Sequence, residues 1–158
     1  MSSPAPFDQQ AFDTWHKAQQ VQVAEYLRKI QVFDGDISGE WLWIIPHRAM
    51  LGRVWPKHGE TPKLWVITGV VPTDHAESNA ARNCREAARY FALKWQLEAA
   101  RLGQGSGTGA GEGKIDWNEM GTGIARRAEW LNDLVQDERR WMPDGLPLYR
   151  ADVEAAQR

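Results

Sequence analysis

Apolar positions first fall into register at the N-terminal end. Phe12, Trp15, Val23, Tyr26, Leu27 and Ile30 follow approximately helical spacing, with polar Gln19 in the gap. Asp8 is a good N-cap, because its side chain accepts from the free amides of a first turn. Phe7 and Phe12 stand on either side of it at the spacing of a hydrophobic staple. A helix from Asp8 to about Gln31 is therefore expected, and Asp34-Gly35-Asp36 and Ser38-Gly39 then signal turns.

The period changes next. Trp41 to Ile45 is short, apolar and bulky, and Pro46 stops it. Met50 to Trp55 is a second candidate strand, closed by Pro56. Lys63 to Val71, rich in β-branched residues, is a third. Short connections favour an antiparallel meander. Strict alternation would put Trp41, Trp43 and Ile45 on one face of the first strand, and Leu42 with Ile44 on the other. It likewise separates Trp65 and Ile67 from Leu64 and Val66. Both faces are apolar, so such a sheet needs cover on both sides or exposes one to a partner.

Asp74 and Glu77 have capping-box spacing and predict the start of a second helix, with Ser78 as the alternative cap. Its core stripe would be Ala81, Cys84, Ala88, Phe91, Trp95 and Leu102, flanked by Arg82, Arg85, Glu86 and Arg89. Residues 103–114 read as a Gly-rich flexible linker. A third helix, capped by Asp116 and Glu119, carries Ala128, Leu131 and Leu134 or Val135, then Trp141 or Met142. Pro143-Asp144-Gly145 ends it. The pattern implies one α+β domain over residues 1–158: a small three-stranded antiparallel sheet packed by long N-terminal, central and C-terminal helices. Residues 1–6 form a loose tail and 147–158 a second.

Composition narrows the function classes. The 158 residues carry a formal net charge of -2 and 25% charged residues. No basic excess drives binding to nucleic acid or to an anionic membrane, so neither is expected as a partner. Cys84 is the single cysteine, which rules out an internal disulfide and a cysteine metal cluster, and its place on the apolar stripe suits a small core residue. The N-terminus lacks a basic start and an apolar run, and no stretch is long enough to span a bilayer, so a cytoplasmic location is expected.

Candidate chemistry is thin. The glycines of 103–113 fail the Walker pattern, because Gly113-Lys114 is followed by Ile115, and a helix rather than a strand precedes them. Asp74-His75 sits at the strand-to-helix junction. With Arg48 it could form a pocket for proton transfer or ligand binding, although Asp74 as a cap beside a solvated His75 explains the pair more simply. His16, His47 and His58 show no metal-ligand spacing, and Arg82, Arg85 and Arg89 read as a solvated helical flank. No cofactor is expected. Nine tryptophans are unusual. They fill cores well, but Trp also anchors interfaces, so Trp41, Trp43, Trp55 and Trp65 are candidate partner contacts.

The segment Trp65-Val66-Ile67-Thr68-Gly69-Val70-Val71-Pro72-Thr73-Asp74, followed by Ala88-Arg89-Tyr90-Phe91-Ala92-Leu93-Lys94-Trp95-Gln96, resembles a bacterial family of small uncharacterised proteins. That resemblance implies a bacterial cytosolic protein, treats the Gly-rich linker as a variable insertion, and carries over no catalytic residue. The expected function is a non-enzymatic protein-interaction module, an adaptor or an inhibitor or immunity-type binder, using a Trp-rich sheet face. The alternative is a small enzyme or ligand-binding domain with its pocket at Asp74 and His75.

Overall fold

The computed structural model describes residues 7–33, 35–58, 63–104 and 117–148. Helix α1 spans Gln9–Lys29. Asp8 caps it, accepting from Ala11 N at 3.0 Å, and the Phe7 and Phe12 rings stand 5.6 Å apart as the staple spacing requires. Strands β1 (Ile37–Ile45), β2 (Ala49–Pro56), β3 (Leu64–Gly69) and β4 (Asp74–Glu77) follow. They form one antiparallel meander in the order β1-β2-β3-β4. Helices α2 (Cys84–Gln104) and α3 (Trp117–Gln136) complete the described elements.

The class is α+β as expected, but the sheet has four strands, not three. Asp74 does not begin a helix. It begins β4, which pairs back onto β3 with Asp74 opposite Ile67 and His75 opposite Val66. The true cap of α2 is Asn83, whose Oδ1 accepts from Glu86 N at 2.9 Å, while the Glu86 carboxylate reaches back to Arg82 N at 3.0 Å. That is capping-box chemistry nine residues downstream of the expected site.

The sheet is covered on both faces. On one, Val54, Leu64 and Val66 pack with Val23 and Leu27 of α1. On the other, Leu51, Trp65 and Ile67 pack with Phe91 and Trp95 of α2 and with Ala128, Leu131 and Val135 of α3. Simple alternation fails in β1, where the register shifts between Trp41 and Trp43. The bulge sends Trp43, together with Leu42, to the α2/α3 side, while Trp41 and Ile44 pack on the α1 side. Trp41 and Trp43 therefore do not share a face. Gly52, the partner of Trp41, explains how the strands close at this point: a Cβ there would run into the backbone of Glu40 and Trp41.

Residues 103 and 104, assigned to the linker, are the last of α2; 105–114 lie outside the described residues, as do 1–6 and 149–158. Pro147 and Leu148, assigned to the tail, are tied down, with Pro147 bridged to Trp141 and Leu148 N donating to Arg140 O at 2.8 Å. Among the described residues, no helix is long and apolar enough to cross a membrane.

Candidate functional site

The four tryptophans proposed as contacts separate. Trp65 is 1% exposed and Trp43 3%, which removes both as binding residues. The Trp65 indole donates to Ser78 O and Ala81 O, each at 3.2 Å, so it holds the loop that leads into α2. Arg53 lies over its ring at 4.3 Å. Trp43 meets Trp141 with ring centroids 4.9 Å apart, anchoring the C-terminal segment. Trp41 is half-buried between the two clusters on the α1 side. Trp55 is also half-buried, with the Lys63 ammonium 5.0 Å from its ring centroid. Among the described residues, two covered faces thus leave no continuous Trp surface.

Asp74 and His75 lie on the edge strand β4, between α1 and α2. The Asp74 carboxylate accepts from Lys94 Nζ at 2.8 Å, Trp95 Nε1 at 3.0 Å and its neighbour His75 N at 2.8 Å. It therefore joins the sheet edge to α2. His75 Nδ1 is 2.9 Å from the Tyr26 hydroxyl and joins the same edge to α1. Burial pushes the Tyr26 phenol up to about 12, helped by the nearby Asp74 charge. Burial also lowers the His75 imidazole, against the opposing pull of Asp74. A phenol that keeps its proton beside an imidazole that resists one makes a stable neutral hydrogen bond.

The polar seam continues along α1. Thr68, fully buried on β3, donates to Gln19 Oε1 at 3.2 Å and shares 2.8 Å with the Thr73 hydroxyl. The Gln22 amide donates to both, at 2.9 Å to Thr68 and 2.6 Å to Thr73. Gln19, the polar interruption in the first helical stripe, is thus a buried partner of the sheet. The bonds from Gln19, Gln22 and Tyr26 tie α1 to the β3–β4 edge, which makes the seam a register device.

Arg48 does not join Asp74 and His75. Its turn is closed by Arg48 N donating to Ile45 O at 2.9 Å. Arg48 instead lines a cleft of about 330 Å³ with Arg126, Arg127 and Trp130 of α3 and Val70 and Val71 of the β3–β4 turn. Two further clefts are described: one between the C-terminal half of α2 and the first half of α3, and one beside Arg85, Glu138 and Trp141. None of the three is lined by Asp74 or His75. The Arg82, Arg85 and Arg89 flank is also divided. Arg82 pairs with Glu86 at 2.9 Å, and Arg85 binds Val135 O and Glu138 and so clamps the end of α3 to α2.

One surface feature was not anticipated. Tyr90, Leu93 and Leu97 are 38%, 54% and 64% exposed. They lie on α2 at steps of three and four residues, on the side away from buried Ala88, Phe91 and Trp95. The signal was available: α2 carries a second apolar stripe, offset from the first, and a helix packed on one side needs only one.

Comparison with known families adds one result. The family model described as "Domain of unknown function (DUF4826)" matches residues 8–141. The chain belongs to this family. The DUF4826 match begins at the N-cap of α1 and ends at Trp141, so it takes in the whole sheet, all three helices and every candidate site above. It agrees with the expectation of a family of unknown function. No curated protein and no solved structure matches the chain.

Proposed function

We propose that this DUF4826 protein is a non-enzymatic protein-binding module, an adaptor or an inhibitor or immunity-type binder, that receives its partner on the outward face of α2. The observation carrying this reading is the exposed Tyr90–Leu93–Leu97 stripe. Contiguous exposed apolar side chains on a folded domain mark contact surfaces, whereas scattered ones are ordinary. The charged neighbours on α2 support the same view. Lys94 is engaged by Asp74, and Glu98 by Arg101 at 2.7 Å. With those charges internally neutralised, recognition is driven by apolar burial inside a polar rim. Tyr90 supplies a ring with a polar tip, a frequent anchor at interfaces. Half-buried Trp41 and Trp55 stay as secondary contacts. None of the three described clefts is lined by Asp74 or His75, which favours this reading over the small-enzyme alternative at the sheet edge.

The test is affinity purification from the native cell with the wild-type chain and a Leu93→Asp/Leu97→Asp variant, with circular dichroism to establish that both fold. A stoichiometric protein held by the wild type and lost from the variant supports the reading. Equal capture by both sinks it. So does light scattering that shows the stripe consumed in a homodimer.

A further inference from the structure

We propose that the cleft between Arg48, Arg126, Arg127 and Trp130 binds a small soluble phosphate monoester, with its organic part laid against Trp130. The cleft is built by α3 and by two turns of the sheet, and no residue of α2 lines it. It is therefore separate from the protein-binding face and does not depend on it.

Three arginines line the cleft and no carboxylate does. None of the three takes part in the ion pairs formed among the described residues. Five other arginines, Arg82, Arg85, Arg101, Arg139 and Arg140, each face a carboxylate. An unneutralised cationic cluster concentrates a counter-anion.

Arg127 and the backbone that carries Arg48 are held in place. Arg127 Nε donates to Val70 O and its Nη1 to Gly123 O, both at 2.9 Å, so its guanidinium is fixed and part of its donor fork remains open. The backbone of Arg48 is held on both sides, with its N–H on Ile45 O at 2.9 Å and its carbonyl accepting from Val70 N at 2.8 Å. Gly69 makes that approach feasible, because a Cβ there would collide with Arg48 O. The turn carrying Arg48 and the turn carrying Val70 are therefore locked together against α3.

The occupant follows from charge, shape and size. Three positive charges suit a dianion better than a single carboxylate, and guanidinium forks match phosphate oxygens. Val71 and half-buried Trp130 supply an apolar wall. At about 330 Å³ the cleft is near the lower end of ligand sites. That accommodates a phosphate with one ring and is small for a dinucleotide.

Phenyl phosphate, inorganic phosphate and phenol are the probes, titrated into the full chain by calorimetry. The expected order is phenyl phosphate tightest, inorganic phosphate weaker and phenol without measurable heat. Arg48→Gln and Arg126→Gln should each weaken phenyl phosphate about tenfold, while Arg101→Gln changes nothing. Because both target side chains are exposed, the variants are expected to fold. Amide shifts confined to Val70, Val71 and Gly123 on adding phenyl phosphate to the wild type locate the site independently. The proposal is overturned by absence of phenyl phosphate binding, by equal loss in Arg101→Gln, or by retention on phosphatidic-acid vesicles without binding of phenyl phosphate.

Discussion

Substituting Asp74 separates two physical roles that carry different energies. As a helix cap, Asp74→Ala would cost about 1 kcal/mol, and Asp74→Asn would be nearly neutral because Asn caps as well as Asp. As the link between the β4 edge and α2, the carboxylate serves three donors. The Trp95 indole matters most among them. Trp95 is 3% exposed, so without Asp74 its N–H loses its partner away from water, costing about 1–3 kcal/mol. Lys94 has a side chain 40% exposed and regains hydration, so its ion pair adds only about 0.2–1 kcal/mol. The His75 amide adds a smaller share, because water can reach the strand edge. Asp74→Ala should therefore destabilise by about 3 kcal/mol, which for a chain of this length lowers Tm by about 6–12 °C. Asp74→Asn keeps an acceptor for Trp95 and loses the charge, for about 1 kcal/mol. Urea melts of Asp74→Ala, Trp95→Phe and the double variant then close a thermodynamic cycle. A coupling of at least about 1 kcal/mol is expected. Additivity within about 0.3 kcal/mol would refute the link, as would an Asp74→Ala variant as stable as the wild type.

Two further outcomes follow from the geometry. His75 and His16 both have imidazoles lowered by burial, so the folded state prefers them neutral. Their contribution is fully present above the ordinary histidine pKa of 6.5 and is lost as pH falls through the lowered folded values. The urea midpoint should drop between pH 8 and pH 5, and His75→Gln should reduce that drop; an unchanged drop in the variant contradicts the Tyr26–His75 account. Gly69 has a φ of +134° with Arg48 O against its missing Cβ. Gly69→Ala should therefore cost about 3 kcal/mol or prevent folding, read by thermal melting, and a loss under about 0.5 kcal/mol would mean the two turns are not locked.

Where burial is a local matter, the order of residues along the chain determined the outcome. Asp8, the Phe7–Phe12 staple and the stripe through Val23 and Leu27 specify α1 because cap and core face lie within a few turns of each other. The meander of β1, β2 and β3, and the Ala128–Leu131–Val135 face of α3, follow in the same way from period and short connections. The start of α2 was misplaced, because the expected Asp74-x-x-Glu77 cap has the same local spacing as Asn83-x-x-Glu86, the cap that forms. Tertiary structure decided between them: Asp74 finds Trp95 twenty-one residues away, and a four-residue strand pairs along β3. The bulge after Trp41 was equally hidden, since one inserted residue changes which face every later side chain meets and depends on the partner strand's Gly52. That shift buried Trp43, and with Trp65 already in the core the Trp-rich face was lost. The candidate sites that stand are products of assembly. The arginine cleft draws on β-turns and α3 from three separate parts of the chain, and only the placing of sheet and α3 against the inner side of α2 shows which of its two apolar stripes is left exposed.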